Sequence, residues 1–159
     1  MCELQKNKFE ALNLEIRNFT GRYSLFTIHY FSTMKTTVHT DKAPAAIGPY
    51  SQAIAVNGFL YTSGQIALNP ETGELEMQDI EHETGRVMQN LKAVLEAVEM
   101  DFSHVIKTTI YLSDMAYYAQ VNAVYAEYFD EHPPAREAVH VAGLPKGVNV
   151  EISCVAFKA

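Results

Sequence analysis

Residues 148 to 157, VNVEISCVAF, constrain the fold of this 159-residue chain more than any other stretch. They are β-branched and apolar enough to be a strand. Successive strand side chains point to opposite faces, so Val150, Ile152, Cys154 and Ala156 point one way and Glu151, Ser153, Val155 and Phe157 the other. Both sets are largely apolar. Such a strand belongs in a sheet that is covered on both sides, and the rest of the chain decides what covers it.

Upstream, SQAIAVNGFLYTSG (51 to 64) holds two short apolar and aromatic runs around Asn57-Gly58, the dipeptide that best tolerates positive φ, and predicts a hairpin. IALNPETGELEMQ, rich in turn formers, reads as an irregular loop. Val87, Leu91, Val94, Leu95 and Val98 recur at helical spacing and predict an amphipathic helix from about 80 to 100. HVIKTTIYLS (104 to 113) reads as a strand, with Asp114 as an N-cap for the next element. That element is a second helix carrying Tyr118, Val121, Tyr125, Tyr128 and Phe129 on one side and ended by Pro133-Pro134. AREAVHVAGL and VNVEISCVAF are the last two strands, separated by a Pro145-Lys146-Gly147 turn. The order β-β-α-β-α-β-β describes an α+β domain, a mixed sheet with both helices on one face. Its other face is expected to bury itself against copies of the chain, making a homo-oligomer.

The length fits one domain. Residues 1 to 33 carry no sustained period and read as an N-terminal extension of unknown role, either an upstream start or a surface tail; the clean pattern occupies 34 to 159. Glu3, Glu10 and Glu15 argue against a mitochondrial transit peptide, and the opening residues lack the apolar core of a signal peptide. No apolar run is long enough for a membrane helix, and the expected location is the cytoplasm. The net charge of −7 disfavours nucleic acid as a partner, since that affinity rests on Lys and Arg against phosphates. Cys2 and Cys154 lie at opposite ends and offer neither a metal spacing nor a disulfide framework, and His104, His132 and His140 have no mutual spacing. No metal is assigned.

Arg136 follows the rigid Pro-Pro corner at the head of a strand, where a planar guanidinium is suited to capturing a carboxylate in bidentate fashion; a surface Arg paired with an acid fits the same position. Glu151 lies inside an apolar strand and needs a reason to be there. One is an ion pair with Arg136 on a neighbouring strand, the other a carboxylate that positions or deprotonates water. Tyr50 after Gly48-Pro49, and Ser63-Gly64 at the end of the hairpin, put hydroxyl groups where the backbone turns sharply, and taken singly they are more often turn or capping residues than functional ones. Asn122 falls inside the second helix among apolar neighbours, where a solvent-facing amide or a helix-packing hydrogen bond competes with a functional role. Ser63 has no His and acid partners for a nucleophilic triad.

Taken together, APAAIGPYSQA, YTSGQIALNPETGEL, NLKAVLEA, VNAVYAEYF, PPAREAV and LPKGVNVEISCVAF closely resemble the RidA (YjgF/YER057c) reactive intermediate deaminase family, also labelled endoribonuclease L-PSP, from about Met34 to the C-terminus. The resemblance implies a chorismate-mutase-like fold assembled as a homotrimer with clefts at subunit interfaces. It further implies cofactor-independent hydrolysis of 2-iminobutanoate and 2-iminopropanoate to 2-keto acids and ammonia. Carried over by motif, Arg136 would hold the substrate carboxylate and Glu151 would orient the attacking water, with Tyr50, Ser63, Gly64 and Asn122 lining the pocket. Ala138 stands where many members have Cys, which bears on pocket shape, and the link from Phe129 to Pro133 is short. The competing functions are a non-catalytic carboxylate-binding regulator, for which Glu151 has no use, and an endoribonuclease or translation inhibitor, against which the acidic charge counts.

Overall fold

The computed structural model describes the strand backbones Ala11–Arg17 and Tyr23–His29 and all residues from 35 to 159. The chain divides into two compact units, Met1–Met34 and Lys35–Ala159. In the first, β1 (Ala11–Arg17) and β2 (Tyr23–His29) pair antiparallel, Ala11 opposite His29 and Arg17 opposite Tyr23. A hairpin therefore occupies part of the segment that shows no sustained period; the rest of that segment lies outside the described residues.

The second unit holds β3 (Thr36–Val38), β4 (Ala53–Val56), β5 (Phe59–Thr62), α1 (Ile80–Glu96), β6 (Val105–Leu112), α2 (Tyr118–Ala126), β7 (Ala135–His140) and β8 (Val150–Phe157). Its six strands run in the order β3-β4-β5-β8-β6-β7, antiparallel except for the β6–β7 pair. The fold is α+β, as expected, with one strand more than the sequence predicts. Three-residue β3 is too short to show a period. Parallel β6 and β7 need a crossover, and α2 supplies it. Among the described residues no helix is long and apolar enough to cross a membrane.

Local chemistry explains most boundaries. Asn57 and Gly58 turn the hairpin with φ of 50° and 80°, both in the left-handed region that a two-residue turn of this hand requires. Asp79 caps α1 by accepting the His82 N–H at 2.7 Å. The helix stops at Glu96, short of the expected 100. Glu99 turns left-handed and the Met100 N–H returns to the Leu95 carbonyl at 3.0 Å, which satisfies a terminal acceptor. The α2 helix likewise ends at Ala126, well before Pro133, because the Tyr128 and Phe129 N–H groups tighten onto the Tyr125 and Ala126 carbonyls three residues back. Asp114 does cap, but it caps a short 3-10 turn, Met115–Tyr117, that leads into α2.

The core lies between the helices and one face of the sheet. Val87, Met88, Leu91, Val94 and Leu95 of α1 are completely buried, as are Val150, Ile152 and Ala156 of β8, with Cys154 nearly so. Full burial of one such Val, Leu or Ile contributes about 1.5–3 kcal/mol. Among them sits a polar latch that the sequence does not reveal. Glu83 is fully buried, its carboxylate accepting the Asn149 and Val150 N–H groups at 2.6 and 3.2 Å and the Asn149 side-chain amide at 2.9 Å. It ties the first turn of α1 to the head of β8 and satisfies donors that burial would otherwise strand.

Among the described residues no helix lies on the opposite face of the sheet. Phe59 stacks with Phe157 at 4.7 Å and with Tyr61 at 6.2 Å between ring centroids, and Tyr61, Phe157 and Val139 remain exposed. This is the second apolar face that alternation along β8 predicts.

Candidate functional site

Two separate half-sites emerge. The first is built around Arg136 on β7. Register places Arg136 opposite Thr108, and Thr108 opposite Cys154, so its side chain projects toward the helices. There Asn122 Oδ1 accepts from Arg136 Nη1 at 2.8 Å and the Tyr118 hydroxyl accepts from Nη2 at 3.1 Å. The guanidinium carbon lies 4.9 Å from the ring centroid of Tyr125, a cation–π contact. Tyr125 is in turn anchored in the core by a 2.8 Å hydrogen bond with Thr108, and burial pushes its phenol pKa above the usual range. Residues 118, 122 and 125 share one face of α2, which is why a single helix holds Arg136 from three directions. Two of the guanidinium's five N–H groups are engaged within the described residues, leaving three to meet an anion. A concavity of about 440 Å³ opens beside it, walled by Asn122, Tyr125, Phe129, Pro133, Pro134 and Arg136.

The second half-site is built around Glu151. It lies opposite Tyr111 on the sheet face away from α1 and α2, in a concavity of about 340 Å³ with Gly64, Tyr111, Leu144, Pro145 and Ser153. Backbone bonds between Gln65 and Ile152, at 2.8 and 3.1 Å, draw the chain at Gly64 directly against the carboxylate. A Cβ added to Gly64 would overlap the Glu151 carboxylate, so glycine is what allows the acid to stand there. Glu151 is half-buried and makes no hydrogen bond or ion pair among the described residues; loss of solvent raises its pKa above the ordinary carboxylate value.

These positions rule out the Arg136–Glu151 ion pair within one chain. Strand β6 stands between β7 and β8, and the two side chains leave opposite faces of the sheet. Sequence spacing could not reveal this, because it depends on which strand inserts between the two. The remaining expected residues divide. Asn122 joins Arg136, and Gly64 joins Glu151. Ser63 donates its hydroxyl to the Ser51 carbonyl at 2.6 Å, a cross-hairpin link, and Tyr50 is exposed with its ring folded beside Gly48; neither is hydrogen-bonded to Arg136 or Glu151. Tyr118 and Tyr125, read from the sequence as part of the helix's apolar side, stand against Arg136, and Tyr111, which the sequence does not single out, stands beside Glu151. Their signal is the 118–122–125 spacing, which places Asn122 between two tyrosines on one helix face. No three His, Cys, Asp or Glu side chains gather as a metal-binding group among the described residues.

The chain is thus a small α+β domain that carries, on one side of its sheet, an arginine held by Asn122 and Tyr118 and, on the other, a half-buried carboxylate. Residues 40–158 match the family model described as Endoribonuclease L-PSP. A RutC family protein of Pyrococcus horikoshii is 50% identical over 125 residues, 79% of this chain and 99% of the relative. The chloroplastic Reactive Intermediate Deaminase A of Arabidopsis thaliana is 42% identical over 134 residues, 84% of this chain and 72% of that protein. A solved structure of a conserved Rid family protein from Yersinia pestis superposes with a TM-score of 0.77 at 47% identity, covering 79% of this chain and all of that one. The chain belongs to the RidA, or endoribonuclease L-PSP, family, which includes reactive intermediate deaminases.

Proposed function

We propose that this protein hydrolyses small 2-imino acids, 2-iminobutanoate and 2-iminopropanoate, to 2-keto acids and ammonia without a cofactor, in the cytoplasm, as a homotrimer with its sites between subunits. The observation that carries the reading is the presence of an anion clamp together with a carboxylate that has no hydrogen-bond or ion-pair partner among the described residues. A guanidinium with free N–H groups selects substrates bearing a carboxylate. A desolvated carboxylate suits proton transfer near neutral pH better than an ordinary one.

In this scheme the substrate carboxylate binds Arg136 and Glu151 accepts a proton from water. The water oxygen bonds to the imine carbon and the C=N nitrogen takes up the proton that Glu151 removed from the water, giving a carbinolamine. Glu151 then takes the carbinolamine hydroxyl proton and passes it to the nitrogen as the C–N bond breaks, so that ammonia leaves and the keto acid remains. The imine carbon is already electrophilic, so positioning and one proton shuttle suffice. Because Arg136 and Glu151 leave opposite faces of the sheet, one substrate meets both groups when Glu151 of one subunit faces Arg136 of another. In this reading the aromatic face packs against a neighbouring copy and brings the two groups together, which its exposed Tyr61 and Phe157 support. Tyr50 and Ser63 are pocket-lining residues in this reading. RNA cleavage, named in the family description, is disfavoured by the net charge of −7.

The test is to generate imine in situ with an amino-acid oxidase, trap the remainder with semicarbazide and add the protein. Less semicarbazone from 2-aminobutyrate and alanine supports the proposal; unchanged trapping from both rejects it. Gly64→Ala probes the second half-site in the same assay. Displacing the Glu151 carboxylate by an ångström or so is expected to lower kcat about 10²-fold with KM little changed, because Arg136 lies elsewhere. Wild-type kcat in that variant would show that the close approach of Gly64 to Glu151 has no catalytic use.

A further inference from the structure

Tyr118 holds a position that neither the core nor the mechanism above explains. It is the first residue of α2 and is 39% exposed, unlike Val121 and Tyr125 of the same helix, which are buried. Its hydroxyl oxygen accepts from Arg136 Nη2 at 3.1 Å. The ring centroid is 5.8 Å from the guanidinium carbon, at the outer limit of a cation–π contact, so the hydroxyl and not the ring face makes the interaction. A phenol that accepts through its oxygen still has its own O–H to place. Among the described residues that O–H has no acceptor, and it lies beside the guanidinium group proposed to receive the substrate carboxylate.

We propose that Tyr118 is a substrate-binding residue, its phenol bridging Arg136 and the substrate by accepting from Nη2 and donating its O–H to a carboxylate oxygen. This rests on the carboxylate-binding reading of Arg136 and extends it. The clamp becomes a mixed one in which guanidinium N–H groups and one phenol O–H converge on the same anion. A hydroxyl donor needs an acceptor and gains most when that acceptor is charged, so it strengthens selection for 2-imino and 2-keto acids over their amides or esters. Asn122 cannot do the same through the atom it gives Arg136, since Oδ1 is an acceptor.

Tyr118→Phe removes the hydroxyl and keeps the ring. Binding of 2-oxobutanoate, the stable keto-acid product, is measured by calorimetry for wild type, Tyr118→Phe and Arg136→Ala, and imine hydrolysis is followed in parallel. The proposal expects Kd for 2-oxobutanoate and KM for the imine to rise about tenfold in Tyr118→Phe, with kcat changed much less, the size of one lost hydrogen bond to a charged group. If Tyr118→Phe binds as wild type while Arg136→Ala loses binding, the phenol merely satisfies Arg136 and this proposal alone falls. If Arg136→Ala also binds as wild type, the carboxylate reading falls and takes this proposal with it. A fall in kcat with unchanged KM would equally overturn it, as would an equal loss of affinity for 2-oxobutanamide, because neither pattern requires a contact with the carboxylate.

Discussion

Arg136→Ala is expected to lower kcat/KM for 2-iminobutanoate by about 10²–10³-fold and to leave the melting temperature near that of the wild type. The size follows from the loss of a charge-assisted, two-point contact to a carboxylate, on the order of 3–4 kcal/mol once the bound anion is left unpaired. The small stability effect follows from where the side chain stands. Its partners Asn122 and Tyr118 lie on the open side of α2, whereas the Tyr125–Thr108 bond that holds the helix to the sheet does not involve Arg136. Arg136→Lys is expected to recover little, because an ammonium reproduces neither the planar fork nor its seat over the Tyr125 ring. Steady-state kinetics with the semicarbazide assay and a thermal melt check both halves of this expectation. A variant retaining wild-type kcat/KM would remove the anion clamp from the account.

Glu151→Gln is expected to reduce kcat about 10²–10⁴-fold, the usual contribution of a positioned proton-transfer group, with KM changed far less. The pH dependence carries the sign of its environment. Loss of solvent raises the Glu151 pKa, so the carboxylate gains its proton at a higher pH than an ordinary Glu. The base is needed ionised, so activity falls as pH is lowered through that raised pKa, and the acid limb of the wild-type kcat profile lies above the ordinary carboxylate range. The limb disappears in the Gln variant. An acid limb at the same pH in both proteins would assign it to another group.

Much of this architecture is legible in the sequence because it is written in local patterns. Asn57-Gly58 encodes its hairpin, the 87–91–94–95 spacing its helix, and the alternation of β8 a sheet with two apolar faces. What is not local is not legible. The insertion of β6 between β7 and β8 separates Arg136 from Glu151, the register across the three strands puts them on opposite faces, and no spacing between residues 136 and 151 could have shown either. Glu83 was hidden for a related reason. An acid in the first turn of a helix reads as a response to the helix dipole, and its burial against Asn149 and Val150 depends on a contact made 66 residues away. Tyr118 was hidden by resembling its neighbours. It has the spacing of the apolar stripe but lies at the helix start, where the preceding 3-10 turn leaves it facing Arg136. Ala138 shows the limit of motif reading. It shares the helix-side face of β7 with Arg136 but packs against the core opposite Ile110, so its small size bears on packing as well as on the shape of the site.

Mixing Arg136→Ala and Glu151→Gln subunits tests the central claim most directly, that one substrate is held by Arg136 of one subunit and Glu151 of another. Each variant alone is expected to be nearly inactive. Unfolded together and refolded as mixed trimers, they regenerate intact sites wherever a subunit carrying Arg136 meets one carrying Glu151, about a quarter of the sites if mixing is random. The account predicts recovery of activity toward that fraction, and none when the separately refolded variants are combined without exchange. Mixed trimers, verified by native mass, that stay as inactive as either parent would contradict it, since both groups would then have to act from the same chain.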